Sequence, residues 1–343
     1  MKHSKLFSKI ILAPVALALS AFPQDAFADS PAGVGSIGDV SAALGNNPPR
    51  RESEKEKTEK LKEKIKEAFP PARAQVQAGT TVFKPFYAYY KQRLPASINK
   101  GGKMGASTYG TGISLMHVNG ERSLITLANA DYRRTNYRWS SIAEGPFDNT
   151  DSISSLFWQE WVFDTDSGRA IAGFASASAG ADDGTSLSAG ASGTFGLGGK
   201  QYFSKTESLW LGAIASYSRH RERWIATPMF FFDWIPAENI NLRIANGITA
   251  TWDVGGENEF LLSLGISYEA NSIAIGKGDV WRCQSAPLVL TATWNVTENL
   301  SFSFGANTIL WSDYRRWEGG HESDDHFTVD PSLEFFVQAG LRF

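Results

Sequence analysis

Hydrophobic and polar residues alternate along most of the chain after residue 80. In the final stretch the even positions are polar or small apart from Phe336, and the odd positions are Leu333, Phe335, Val337, Ala339, Leu341 and Phe343. A period of two places successive side chains on opposite faces of a β-strand. Similar segments recur between short runs of turn residues. The pattern therefore predicts an all-β chain whose strands each carry one bulky apolar face.

The number of alternating segments predicts the architecture. They amount to about fourteen, or about twelve without the two weakest, and both counts are even, as closed antiparallel up-and-down barrels in bacterial membranes require. Asn119-Gly120 is typical of a tight hairpin turn. We interpret residues 240–252 as one strand, residues 272–281 as another, and residues 312–331 as a long connection on the outer side. We predict a transmembrane β-barrel of fourteen strands, with twelve as the alternative.

Composition supports a membrane barrel over a helical membrane protein. Hydrophobic residues make up 42 % of the chain, and the mean hydropathy is -0.23. Only alternate residues of a barrel strand need to face lipid, so such a modest value is expected. The chain has 11 Trp, 10 Tyr and 22 Phe, and we expect aromatic girdles that include Trp234, Trp252, Trp294 and Trp311. In a soluble sandwich these residues would instead be core aromatics.

The first 79 residues differ from the rest of the chain. Lys2, Lys5 and Lys9 precede a short apolar run, and Ala26-Phe27-Ala28 has small residues where a signal peptidase cleaves. We predict a signal peptide over residues 1–28 with cleavage after Ala28, a charged periplasmic arm over residues 29–79, and the barrel over residues 80–343. The arm contains a Lys- and Glu-rich segment that favours a solvated helix.

Two sets of charged or polar residues suggest functional surfaces. The first set should line the lumen of a channel, and it comprises Arg243, Glu259, Glu334, Gln338 and Arg342. The second set should lie in outer loops, where guanidinium groups suit lipopolysaccharide phosphates or select anions, and it comprises Arg133, Arg134, Arg138, Arg315 and Arg316. Plain salt bridges with nearby carboxylates are the alternative for the second set.

Other candidate sites are weaker. His321, Glu322, Asp324, Asp325 and His326 form an acidic cluster that could bind a divalent ion, but we interpret it as a solvated loop. No metal site, cofactor or catalytic residue is predicted. The net charge of -3 shows no basic surface for nucleic acid. Residues 170–193 are nearly all Ala, Gly and Ser, which indicates either a mobile part of the wall or the close approach of a lumen plug or another subunit.

The chain resembles an uncharacterised family of bacterial outer-membrane β-barrels. The resemblance is carried by Pro236-Ala-Glu-Asn239, by Thr297-Glu-Asn299 and by the closing Gln338-Ala-Gly-Leu-Arg-Phe343. It implies an outer-membrane location and contact with membrane lipid and lipopolysaccharide. The last strand resembles the signal read by the barrel-assembly machinery, with Phe335, Val337, Ala339, Leu341 and Phe343 as its residues. The resemblance assigns no solute and no oligomeric state.

Three functions are compatible with these patterns. A passive channel or transporter for small solutes is favoured, because polar residues recur on the face opposite the apolar one. A structural or adhesive protein with a closed lumen and functional loops is the alternative. An outer-membrane hydrolase is less favoured, because no Ser pairs with a His in a recognisable motif.

Overall fold

The computed structural model describes residues 81–118, 124–141, 145–164, 167–204, 206–237, 239–254, 259–276, 279–297 and 299–341. The predicted signal peptide with Ala28, the arm, Arg342 and Phe343 lie outside the described residues. None of the helical segments in the described part has the length and apolar character needed to span a bilayer. The strands are β1 Thr81–Ser97, β2 Lys103–Val118, β3 Leu124–Ser140, β4 Asn149–Asp164, β5 Arg169–Asp182, β6 Ser192–Tyr202, β7 Glu207–Ser218, β8 Arg223–Ala237, β9 Ile240–Ile244, β10 Gly247–Asp253, β11 Phe260–Ser267, β12 Glu269–Ile275, β13 Asp279–Asn295, β14 Leu300–Glu318, β15 His321–Val329 and β16 Ser332–Leu341.

These segments form one closed antiparallel barrel of 14 strands. The ring closes where β1 pairs with β16, with Tyr87 opposite Gly340 and Arg93 opposite Glu334. Segments β11 and β12 follow one another along the same edge of β13, and β15 and β16 do so along β14. Each of these two pairs therefore counts as one strand of the wall. We call the end where β16 finishes the terminal end, and the opposite end the far end.

The predicted number of strands is confirmed, but two segments were assigned wrongly. Residues 240–252 form the hairpin β9–β10, in which Ile244 lies opposite Ile248. Residues 272–275 end β12 and residues 279–281 begin β13, and these two segments pair with each other, with Ile275 opposite Asp279. An odd number of residues separates Ile244 from Ile248, so the alternation continues in phase through the turn and cannot reveal it. The Asn246-Gly247 dipeptide was the overlooked hairpin signal.

The long outer connection predicted over residues 312–331 is also wrong. Strand β14 continues to Glu318, a tight turn follows, and β15 returns from His321. Gly319 and Gly320 have φ values of 55° and 87°, a region that glycine adopts without strain. This hairpin extends past the apolar belt, so neither of its faces shows the hydrophobic pattern that marks the other strands.

The outer surface carries the apolar belt that the alternation predicted. Leu197 and Leu211 are 62 % and 58 % exposed, and on the last strand Leu333, Phe335, Val337 and Leu341 point the same way. All four tryptophans expected in the girdles are also exposed. Side chains of alternate residues on each strand therefore face outward, while their neighbours face the lumen.

One part of the wall is interrupted. Strands β9 and β10 have only 5 and 7 residues. On the side of β8 that faces β9, residues 223–231 therefore have no strand partner among the described residues. Next to this break, β12 bends inward and pairs with β5 at Ala274 and Ala181. A Cβ on Gly180 would lie 2.5 Å from the carbonyl oxygen of Ser272. The Ala-, Gly- and Ser-rich segment is thus where the backbone of β12 approaches the wall from inside.

Candidate functional site

One cavity of the lumen is a polar chamber. The space between its walls, including the part that is open to solvent, is about 880 Å³. It is bounded by β1, β2, β3, β12, β13, β14 and β16, and its lining includes Tyr89, Lys91, Arg93, Thr108, Arg133, Thr135, Tyr137, Glu269, Asn271, Cys283, Asn307, Tyr314 and Glu334. Because its lining is polar and it opens to the lumen, the polar chamber is a place where a solute can reside.

The wall of the chamber on β1 to β3 is built from tyrosines that lie over glycines. A Cβ on Gly110 would overlap the ring of Tyr89, and one on Gly112 would overlap the ring of Tyr87. Both tyrosine hydroxyls donate to the carboxylate of Asp131, over 3.2 Å from Tyr87 and 3.0 Å from Tyr89. Glycine is needed at these two positions because the rings occupy the space of a side chain. Asp131 is thereby fixed beside the chamber.

Arg93 is a buried charge whose donors are occupied by the protein. Its Nε donates to Ser332 Oγ at 2.8 Å, Nη1 to the Tyr314 hydroxyl at 3.3 Å, and Nη2 to Ser312 Oγ at 3.0 Å. Glu334 lies opposite it across the closing seam and accepts a bond of 2.7 Å from the side-chain amide of Asn307. Arg93 therefore joins β1 to β14 and β16, and its role is to hold the seam.

Three other charged side chains line the chamber without such partners. Lys91 lies on β1, Arg133 on β3 and Glu269 on β12. Within the described part of the chain, none of the three forms an ion pair. The Lys91 ammonium is 5.6 Å from the centroid of the Tyr89 ring. The Asp131 carboxylate interacts electrostatically with Arg133 and Lys91, but its hydrogen bonds are with Tyr87 and Tyr89, and among the described residues it forms no salt bridge with either cation. The two cations and Glu269 can therefore contact a solute in the chamber.

The far end of the chamber is covered by aromatic rings, which we call the aromatic cap. Its members are Tyr137, Trp139, Phe147, Trp281, Tyr314 and Phe327. Phe147 comes from the connection between β3 and β4, and its ring centroid is 4.6 Å from that of Tyr137. The indole nitrogen of Trp139 donates to the carbonyl of Phe147 over 2.6 Å. This bond holds Phe147 inside the cap.

The inner face from β4 to β8 is packed. Trp158, Phe174, Trp210 and Phe231 form an aromatic cluster, and the ring centroids of Trp210 and Phe231 are 4.8 Å apart. Lys200 donates to Glu160 over 2.9 Å, and the Tyr202 hydroxyl donates to the other oxygen of that carboxylate. The Lys200 and Glu160 side chains are only 4 % and 0 % exposed. This side of the lumen thus offers rigid packing, whereas the chamber offers polar space.

The predicted lumen residues fall in different places. Glu334 lines the chamber, and Gln338 lies on the inner face of β16 outside its lining. Arg243 lies on β9 and pairs with Asp233 at 2.5 Å. Glu259 is exposed at the turn before β11. Arg342 is outside the described residues, so its predicted role stays a prediction.

Lys91 and Glu269 line the lumen, although neither is among the residues that the sequence pattern predicts there. The spacing of Tyr87, Tyr89, Lys91 and Arg93 was a signal for Lys91, because all four share the inner face of one strand. Glu269 had no comparable signal, since β12 leaves the line of the wall.

The five arginines predicted in outer loops are in strands, so that placement is wrong. Arg133 faces the chamber on β3, while Arg134 and Arg138 point to the other face of that strand, and the last two lie on β14. Three of the five arginines form ion pairs. Arg134 pairs with Asp151 and Asp183, both at 2.9 Å. Arg315 pairs with Asp313 at 2.6 Å and Glu322 at 2.7 Å, and Arg316 pairs with Asp279 at 2.7 Å. The strands continue past the apolar belt, which is why loop-like polarity occurs within them.

The acidic cluster over residues 321–326 forms part of β15. Asp325 accepts from Lys100 at 2.7 Å, and Glu322 pairs with Arg315. Within the described ranges, no group of three or more His, Cys, Asp or Glu side chains is arranged to hold a metal ion.

Comparison with known proteins gave structural matches alone. No protein-family model and no curated protein sequence matches the chain. An outer membrane channel from Pseudomonas putida F1 matches with 10 % identity and a TM-score of 0.42, over 78 % of this chain and 97 % of the other. A mutant of the TodX monoaromatic hydrocarbon channel matches with 6 % identity and a TM-score of 0.41, over 80 % and 93 %. The translocator domain of the autotransporter NalP from Neisseria meningitidis matches with 13 % identity and a TM-score of 0.35, over 89 % and 98 %.

Proposed function

We propose that this chain is a bacterial outer-membrane β-barrel that acts as a passive channel for small solutes. The observation that carries the proposal is a polar chamber, open to solvent, inside a barrel whose outer surface is apolar. An apolar belt needs lipid around it, and a polar lumen provides a path through that lipid. In this arrangement the terminal end lies in the periplasm and the far end outside.

Small polar side chains extend from the chamber toward the terminal end. Thr251 and Ser263 share a hydrogen bond of 3.0 Å, and Thr293 and Ser303 share one of 2.9 Å, all on inner faces. Hydroxyl groups of this size leave room for water and bind solutes weakly. We therefore assign the periplasmic passage to the inner faces of β10, β11, β13 and β14.

The aromatic cap is the barrier on the outer side. Phe147 is the cap member that a connection between strands, and not a strand, contributes. Because Phe147 lies outside the strands, displacing its ring from the cap would leave the strand pairing intact. The channel thus conducts at a rate that the cap limits.

Planar-bilayer recording of the purified protein and of Phe147→Ala tests this function. We expect discrete steps for the wild type and a conductance larger by about twofold or more for the variant, because removing the ring widens the narrowest part. Phe195→Ala is the matched control, since Phe195 is exposed on the outer surface. Absence of steps in all three proteins would contradict the channel.

The cap also favours a second function. If the cap stays in place, the barrel is a structural or adhesive membrane protein whose far end is its active surface. In that role Arg138 is the arginine of this set that would contact lipopolysaccharide phosphates directly, because Arg134, Arg315 and Arg316 already form ion pairs with carboxylates. Silent bilayers together with intact heat-modifiable gel mobility would support this alternative.

A further inference from the structure

The charges that face the polar chamber divide into two kinds. Arg93, Glu334 and the neighbouring Asp131 are held by hydrogen bonds within the protein, as described above. Lys91, Arg133 and Glu269 have no ion-pair partner among the described residues. An unpaired charge facing a confined space favours a solute group of opposite charge, because the surrounding protein screens less than bulk water does.

The three unpaired charges are separated by sign. Lys91 and Arg133 lie on β1 and β3, which belong to the same uninterrupted wall. Glu269 lies on β12, the segment that bends into the lumen beside the break in the wall. One side of the chamber therefore has two cations and the single carboxylate of Asp131, which interacts electrostatically with both of them and leaves a net positive charge there. The Glu269 carboxylate is contributed from another side. The inward bend of β12 is what brings the carboxylate to the chamber.

We propose that the chamber favours small zwitterionic solutes, with the anionic group toward Lys91 and Arg133 and the cationic group toward Glu269. This inference rests on the proposed channel function and names the class of solute for it. A zwitterion loses hydration at both ends when it enters the chamber, and the two surfaces replace that hydration at both ends. A neutral solute of equal size gains neither contact, and a solute with a single charge gains only one.

Swelling of liposomes that contain the full mature chain tests the preference. The probes are β-alanine, a zwitterion, and lactamide, its neutral isomer, each supplied at equal osmolarity. We expect β-alanine to enter about threefold faster than lactamide through the wild type. Glu269→Gln should bring the two rates close together by slowing β-alanine and leaving lactamide unchanged. Lys91→Gln should reduce the preference in the same direction.

Glu222→Gln is the matched control, because Glu222 is exposed in the turn between β7 and β8. It should keep the wild-type ratio. Unboiled gel mobility identifies any variant that fails to fold, and the two chamber variants provide independent readings. Equal entry of both isomers through the wild type overturns the inference while the channel function stands. A preference that survives both chamber variants also overturns it. Entry of neither isomer overturns the channel function and the inference together.

Discussion

The two sides of the lumen are built from the same alternating strands, but their inner faces differ in what they contact. From β4 to β8 the inner face is filled by the aromatic cluster and by the buried pair of Glu160 and Lys200. On β1 to β3 and β12 to β16 the inner face borders the polar chamber, where Lys91, Arg133 and Glu269 have no ion-pair partner among the described residues. Side chains fill the space inside the first side, whereas the second side borders a cavity. The comparison indicates that the packed side supplies stability and leaves the open side free for the proposed transport.

The largest effect should come from breaking the buried pair on the packed side. Lys200→Met leaves the Glu160 carboxylate buried without its cation, and we expect the free energy of unfolding to fall by about 3–5 kcal/mol. Denaturant titration in detergent, followed by gel mobility, measures the change. Lys103→Met is the control, because Lys103 is exposed at the start of β2. Equal losses for the two variants would show that the packed side is not the source of stability.

An intermediate effect is expected where the two sides meet. Gly180→Ala places a methyl group 2.5 Å from the Ser272 carbonyl oxygen, so β12 must shift, and we expect a loss of about 1–3 kcal/mol. A Cβ on Gly199 would meet nothing within 4 Å, which makes Gly199→Ala the matched control. Heat denaturation of both variants gives the comparison. If Gly180→Ala were as stable as its control, the inward path of β12 would be contradicted.

The smallest effect on stability should come from the open side. Lys91→Gln removes a partly exposed ammonium whose one ring contact is with Tyr89, and we expect a change below about 1 kcal/mol in the free energy of unfolding. The same variant should alter single-channel conductance, whereas Lys200→Met should leave it unchanged in folded protein. The opposite assignment, with conductance sensitive to Lys200 and not to Lys91, would reverse the roles of the two sides.

The sequence pattern predicted most of the fold, but it predicted only some of the residues that line the chamber. Alternation identified the outward face of β16 and of most strands. Successive side chains of a strand point to opposite faces, and the environment of each face selects apolar or polar residues. It failed at Ile244 and Ile248, where the hairpin keeps the alternation in phase. Arg133 was recognised as functional but was placed in a loop, since polar residues beyond the apolar belt look alike in strands and loops.

The sequence alone determined a closed barrel of about fourteen strands with an apolar outer surface. It did so because alternation is a local property that each strand shows independently. The tertiary structure decided which charges face one another. Lys91 and Glu269 are far apart in the chain, and they line one chamber only because the short β9–β10 hairpin interrupts the wall and lets β12 bend inward against Gly180. That meeting depends on strand lengths and on backbone packing, which the period of two does not encode.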